Sequence, residues 1–270
     1  MALNAAGAER QDENGERETM SGPWISPAQR SGPDPRLRLF CFAHAGGGSA
    51  FFRPWREQVA QDVEVVSVVL PGRESRIRET AHTRMEPLIA DLVEGLRPHL
   101  DGPYAFFGHS LGSVIAYEAA RALRLRGEPG PEALVVSGRR APHAPDRRPP
   151  VSQLGDDDFL AEMVRLGGTP PEIVRQREMV RFFLPFLRAD FELNETYLPK
   201  AGGPALTCPV YAFTGDRDPL ATPQEVGEWR EVTSGHFRLR VFPGDHFYLK
   251  DSEEFLAALR GCLAPAHAGR

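Results

Sequence analysis

Five residues, Gly108-His109-Ser110-Leu111-Gly112, stand between a short apolar run and an amphipathic helical pattern, and this placement constrains the fold more than any other feature of the chain. Tyr104–Phe107 has the aromatic, apolar character of a buried strand. Leu111–Arg126 follows the helical period and is closed by Gly127. A strand that passes into a helix over so few residues must turn sharply. The turn forces its middle residue into a strained backbone conformation, and the flanking glycines let neighbouring elements approach closely. Ser110 then projects its hydroxyl above the sheet at a helix N-terminus. There the free N–H groups and the positive end of the helix dipole favour an anion.

The rest of the chain supplies the sheet that such a turn needs. Leu37–Ala43 and Val63–Leu70, the latter ended by Pro71-Gly72, read as strands, as do Ala133–Ser137, Val210–Thr214 and Arg238–Phe242. Met85, Leu88, Ile89, Leu92, Val93 and Leu96 keep helical spacing, so 84–97 is expected to be a helix stopped near Pro98; further helices are expected at 223–231 and 252–262. Alternating strands and helices predict an α/β fold, with a mostly parallel central sheet flanked by helices. Residues 141–205 break the alternation. They open with a loop rich in proline and arginine and continue as helical patterns at 156–166, 171–180 and 181–197, which reads as a helical lid insertion over the sheet.

Composition narrows the classes of function. The 32 Lys and Arg against 37 Asp and Glu leave a net charge of −5, which argues against a nucleic-acid partner, since phosphate neutralisation needs a basic face. No apolar run is long enough to span a bilayer. Cys41, Cys208 and Cys262 are odd in number and lack metal-ligand spacing, so no metal is expected and they read as buried thiols of a reducing cytoplasm. Residues 1–20 have neither the apolar core of a signal peptide nor the acid-poor character of a transit peptide, and are expected to be a disordered extension. The start could be Met1 or Met20. Four prolines in 21–35 suggest an extended arm anchored by Trp24 and Ile25. A single domain is expected over 21–265, with 266–270 a flexible tail.

A serine hydroxyl becomes a nucleophile only when a base takes its proton and an acid orients that base. Gly108–Gly112 fits the G-x-S-x-G nucleophile elbow, whose partners follow in the order Ser, Asp or Glu, His. Gly215-Asp216-Arg217-Asp218-Pro219 follows the strand Val210–Thr214, and Pro243-Gly244-Asp245-His246-Phe247 follows Arg238–Phe242. Both loops lie at the carboxyl edge, where open α/β sheets place their sites. Ser110 and His246 are thus candidate catalytic residues, and Asp216 and Asp218 compete for the acid. His82, His99 and His267 sit in polar or terminal settings, His44 and His109 suit packing or loop shaping, and His236 precedes the last strand on the wrong side of the sheet.

Acyl transfer also needs donors for a tetrahedral oxyanion. His44-Ala45-Gly46-Gly47-Gly48 follows the first strand, where this fold brings one donor; the other is the residue after the nucleophile. The candidates are the N–H groups of Ala45 and Leu111. A phosphate-cradling reading of the glycines fails, because the P-loop Lys-Ser/Thr is missing and the spacing is not that of a dinucleotide fingerprint.

The combination of Leu39–Gly47, Leu70-Pro71-Gly72-Arg73-Glu74, Phe107–Gly112, Ala189-Asp190-Phe191, Glu195-Thr196-Tyr197, Gly215–Asp218 and Gly244-Asp245-His246-Phe247 resembles the type II thioesterases of polyketide and nonribosomal peptide assembly lines. The resemblance covers about 24–263 and no motif is missing. It implies the α/β-hydrolase fold, no cofactor, a cytoplasmic monomer, and hydrolysis of acyl groups from the phosphopantetheine arm of an acyl carrier protein or peptidyl carrier protein that docks transiently. The acid of hydrolases of this fold stands in a Gly-x-x-Asp pattern, which favours Asp218 and leaves Asp216 to shape the turn. The residues alone reach only a serine acyl hydrolase. A general carboxylester hydrolase or acyltransferase uses the same groups, and a non-catalytic binding module would not need all three.

Two further expectations concern the insertion. Its apolar residues Phe159, Leu160, Met163, Val164, Leu166, Phe182, Phe183, Leu184, Phe186 and Leu187 either form its own core or line an acyl chamber. Arg139, Arg140, Arg147 and Arg148 are either a solvated loop or a docking patch for an acidic carrier.

Overall fold

The computed structural model describes residues 23–26, 35–145, 148–168, 171–199 and 202–264. Six strands, β1 (Leu37–Phe42), β2 (Val63–Ser67), β3 (Tyr104–His109), β4 (Leu134–Ser137), β5 (Val210–Gly215) and β6 (Phe237–Phe242), form one sheet in the order β2-β1-β3-β4-β5-β6. Every neighbouring pair is parallel. The helices are α1 (Trp55–Gln58), α2 (Met85–Leu96), α3 (Leu111–Leu125), α4 (Asp156–Arg165), α5 (Pro171–Val174), α6 (Arg177–Glu195), α7 (Pro223–Gly227) and α8 (Glu253–Leu263). This is the α/β-hydrolase fold.

Side chains alternate across a strand, so each strand feeds two cores. Phe40, Phe42, Tyr104, Phe106, Leu134, Val136, Val210 and Ala212 pack with α2 and α3 on one face. Leu39, Cys41, Ala105, Phe107, Val135 and Phe213 pack with Trp55 of α1 and Phe255, Leu256 and Leu259 of α8 on the other. Burial on both faces explains why these strands read as continuous apolar runs.

β3 ends two residues later than its apolar run, because Gly108 and His109 still pair with β4, His109 opposite Ser137. β2 ends at Ser67, and Val68 instead forms an antiparallel bridge with Ile25. Trp24 and Ile25 are both buried, and the Arg76 guanidinium lies 3.9 Å from the Trp24 ring centroid. The rest of the arm, the extension 1–20 and the tail 266–270 lie outside the described residues.

The insertion between β4 and β5 is helical, with a different division. The expected helices 171–180 and 181–197 become one turn at α5 and a 19-residue α6, broken at Arg175-Gln176. Pro185 sits inside α6, half a helix in, where it lacks the N–H that would bond one turn back. Phe159, Met163 and Leu187 form a small core of their own, with Phe183 and Phe191 against it. No helix among the described residues is long and apolar enough to cross a membrane. Cys41 is buried as expected, whereas Cys208 and Cys262 are only half-buried.

The crossing of β3 into α3 leaves no room for side chains at its two glycines. A methyl group on Gly108 would meet the Gly112 backbone, and one on Gly112 would meet the Phe42 carbonyl of β1. Gly112→Ala must therefore push α3 off the sheet. The expected cost is about 1–3 kcal/mol in urea denaturation, the usual range for overpacking. An unchanged denaturation midpoint would show that the helix does not lie this close to β1.

Candidate active site

Ser110 caps α3 with φ 55° and ψ −117°, a left-handed backbone that a non-glycine residue holds only when its surroundings impose it. The imposing contacts come from β4. The Ser110 N–H donates to the Ser137 carbonyl at 2.8 Å, the Ser113 hydroxyl donates to the same carbonyl at 3.1 Å, and the Ser137 N–H returns a bond to the Ser113 hydroxyl.

The loops after β5 and β6 meet beside this turn. His246 and Asp218 are each 5% exposed, and His246 Nδ1 lies 2.8 Å from Asp218 Oδ2. Asp218 Oδ1 accepts the Leu220 N–H at 2.8 Å, which fixes the carboxylate. Asp216 is exposed and faces elsewhere: its Oδ1 accepts the Gly244 N–H at 2.8 Å and bridges the two loops. Ser110 and His246 both line a cavity of about 290 Å³, together with Ala45 of the loop after β1.

That loop has three committed N–H groups. Gly46 donates to Asp190 Oδ2 at 2.7 Å, Gly47 to the His44 carbonyl at 2.8 Å, and Ser49 to Glu74 Oε1 at 2.6 Å. Among the described residues no acceptor stands opposite the Ala45 N–H. Leu111 occupies the first position of α3, where a helix offers its N–H no partner. The two expected donors are thus both uncommitted. No cluster of three or more metal-ligating side chains occurs among the described residues.

The chain matches the family described as Thioesterase domain over residues 37–262. It is 46% identical to Thioesterase PikA5 of Streptomyces venezuelae over 233 residues, covering 86% of this chain and 82% of that protein. It is 39% identical to Gramicidin S biosynthesis protein GrsT of Aneurinibacillus migulanus over 235 residues, covering 85% and 91%. Among solved structures it is similar to the type II thioesterase BorB from the borrelidin biosynthetic cluster, with TM-score 0.80 and 37% identity over 92% of this chain and 98% of that one. The chain belongs to the thioesterase family.

The cavity of this thioesterase has apolar walls. From the insertion come Met163, Leu166, Phe183, Leu187 and Phe191, and from the sheet side Leu220 and Phe247. Of the residues expected there, Phe182 points to solvent at 68% exposure and Phe159 lies in the core of the insertion. Phe191 was not singled out for the chamber by the sequence pattern.

The arginines after β4 need correction. Arg139 and Arg140 are each 7% exposed and so present no docking surface. Arg139 donates to Asn194 Oδ1 of α6, and its carbonyl accepts the Trp229 Nε1–H at 2.7 Å; Arg140 donates to the Ala144 carbonyl. Arg148 is half-buried in a second groove, and Arg147 lies outside the described residues, as does His267.

Sequence reasoning gave no role to a buried ion pair. Arg73, after β2, donates from Nη2 to Asp190 Oδ1 at 2.6 Å and from Nη1 to Oδ2 at 2.8 Å. The available signal was an aspartate inside the apolar stripe of α6, three residues from both Leu187 and Leu193.

Three imidazoles crowd the site. The His109 ring lies 4.9 Å from that of His246 and 5.8 Å from that of His44. His109 Nδ1 is 3.0 Å from Ser137 Oγ, which is 2.6 Å from the Tyr248 hydroxyl. Burial, then the charges of His246, Lys250 and Arg73, lowers the His44 pKa to about 3. Burial, then His246 and His44, holds His109 well below its ordinary value. Both stay neutral in the folded protein at pH values where the unfolded chain protonates them, below about 6.5. There the unfolded state binds more protons, so stability falls as pH drops from about 6.5 toward the folded values, by up to about 1.4 kcal/mol per pH unit per histidine. Urea denaturation at pH 7, 6 and 5 should show this decline, and His109→Gln should flatten it. An equal or steeper decline in the variant would contradict a neutral His109.

Proposed function

We propose that this thioesterase hydrolyses acyl thioesters held on the phosphopantetheine arm of an acyl or peptidyl carrier protein, removing aberrant acyl groups during polyketide or nonribosomal peptide assembly. Ser110, His246 and Asp218 form the catalytic triad. The observation that carries the reading is the 2.8 Å His246–Asp218 contact, buried beside a strained Ser110 in an apolar cavity.

In this mechanism Asp218 accepts the Nδ1–H of His246 and so leaves Nε2 as the base facing Ser110. Ser110 Oγ attacks the thioester carbonyl carbon while Nε2 takes its proton. The carbonyl oxygen becomes an anion, which the Ala45 and Leu111 N–H groups stabilise. Collapse of the intermediate breaks the C–S bond, and the thiolate takes the proton from His246. Water, deprotonated in turn by His246, attacks the acyl-Ser110 ester, and Ser110 leaves with the returned proton. The apolar walls accept the acyl chain, and a cavity of about 290 Å³ lies at the small end of the range for ligand sites, which favours short chains. The helical insertion serves as the lid over this chamber. The likeness to a thioesterase, to a gramicidin S biosynthesis protein and to a type II thioesterase of the borrelidin biosynthetic cluster supports a carrier-bound substrate.

Ser110→Ala and His246→Ala should each reduce turnover of an acyl-carrier thioester by a factor on the order of 10⁴ or more without unfolding the protein. Asp218→Asn should approach that loss because it favours the wrong imidazole tautomer. Asp216→Asn should lose far less, since an amide oxygen still accepts the Gly244 N–H. A folded Ser110→Ala enzyme with near-normal turnover would end the mechanism, and the reverse ranking of the aspartates would move the acid to Asp216. Matched oxygen esters turned over as fast as the carrier thioester would favour a general carboxylester hydrolase.

Chamber length has its own test. Leu187→Phe and Met163→Phe narrow the cavity from the insertion side, and should shift the preferred acyl chain to shorter members of a graded series. An unchanged profile in both variants would return these residues to packing alone.

A further inference from the structure

Asp190 is 1% exposed and Arg73 is 5% exposed, yet neither touches the cavity. A buried ion pair is seldom the most stable way to fill such a space, because both charges give up their hydration. Its partners suggest what else it does. Asp190 Oδ2 accepts two bonds, from Arg73 Nη1 at 2.8 Å and from the Gly46 N–H at 2.7 Å. The same Arg73 Nη1 also donates to the Gly47 carbonyl at 3.1 Å. One carboxylate on α6 and one guanidinium after β2 therefore grip both sides of the 46–47 peptide.

That grip bears on the neighbouring residue. Gly46 has φ +76° and its N–H is held by Asp190, while the adjoining Ala45 lines the cavity and its N–H has no partner among the described residues. A preorganised donor is effective only if it does not have to be reoriented when charge develops. The guanidinium is held in place as well: it stacks over Phe186 at 5.0 Å, and the adjoining Glu74 carboxylate takes the Ser49 N–H at 2.6 Å. We infer that Arg73 and Asp190 are positioning residues that hold the Ala45 donor in place and tie it to the lid helix, so that the oxyanion site is complete only when α6 is seated. This rests on the serine mechanism proposed above.

The bonding explains why the charge is needed. Asparagine at 190 has one oxygen where three donors now meet two, so its NH₂ would face Arg73 Nη2 in one orientation, or both Arg73 Nη1 and the Gly46 N–H in the other. The fork and the Gly46 bond cannot both survive.

The test compares wild type, Asp190→Asn and Arg73→Lys on a short-chain acyl thioester of N-acetylcysteamine, with rates normalised to folded sites counted by circular dichroism and analytical gel filtration. Asp190→Asn should lower kcat by a factor on the order of 100, the scale of one misplaced oxyanion donor, with KM changed less than about threefold. The rate at which a fluorophosphonate labels Ser110 should fall in parallel, because its tetrahedral adduct uses the same donors. Arg73→Lys keeps the charge but loses the fork, and should show the same pattern at smaller amplitude. It also serves as the test should Asp190→Asn fail to fold. A folded variant that loses thermal stability while kcat and labelling rate stay within about threefold of wild type would overturn the inference and leave a purely structural ion pair. Ser110→Ala separates the two levels. If it retains activity the underlying mechanism fails, and if it is inert while both clamp variants act normally only the positioning role fails.

Discussion

The hydrogen bond from the Ser110 N–H to the Ser137 carbonyl fixes the turn around which the rest of the site is arranged. A left-handed serine costs on the order of 1–3 kcal/mol, and such a conformation persists only where several neighbours demand it together. Here β3 and β4 stay in register to the last pair, His109 opposite Ser137, so the Ser137 carbonyl is placed before the turn begins. Ser113, one turn into α3, closes the arrangement by bonding both the Gly108 and Ser137 carbonyls. The strain is offset by the sheet and helix cores on either side, where Phe106, Phe107, Val114 and Ile115 are fully buried.

Charge is arranged as strictly as backbone. The interior near Ser110 holds His44, His109 and His246, and each would be costly as an unpaired cation. Only His246 has a carboxylate, Asp218, at hydrogen-bond distance. The other two are kept neutral by burial. The chain Tyr248–Ser137–His109 gives the neutral His109 a fixed partner, although its Nε2 has none. The same logic separates the two aspartates after β5. Asp218 is desolvated against an imidazole, and Asp216 remains in solvent, where it braces the Gly244 turn.

The parts of this site that were legible in the sequence are local. The elbow, the strands leading to Thr214 and Phe242, and the loops carrying Asp218 and His246 follow from short apolar runs bounded by Gly and Pro, patterns that depend on a few consecutive residues. What escaped depends on partners far along the chain. Arg139 looks like a solvated residue until Asn194 and Trp229, 55 and 90 positions away, bury it. Asp190 looks like a break in the apolar face of α6 until Arg73, 117 positions away, meets it. The break lies at Arg175-Gln176, inside the polar run Arg175-Gln176-Arg177-Glu178, and not at the expected 180/181, because the apolar period alone does not mark where one helix gives way to the next.

These long-range contacts divide α6 unequally, and the division matters for access to the chamber. Its C-terminal half is fastened. Asp190 holds the loop after β1, Glu192 pairs with Arg84 at 3.0 Å, Asn194 takes Arg139, and Glu195 accepts the Val151 N–H at 2.6 Å. Among the described residues, no side-chain hydrogen bond or ion pair ties the N-terminal half to another element. Arg177, Glu178, Met179, Arg181 and Phe182 face solvent, and the Arg181–Glu178 pair stays within its own turn. Pro185 stands between the halves and removes one helical hydrogen bond at the boundary. Opening costs least where contacts are few and a backbone bond is already missing. Phe183, one wall of the cavity, lies on the weakly held half, whereas Leu187 and Asp190 lie on the fastened one.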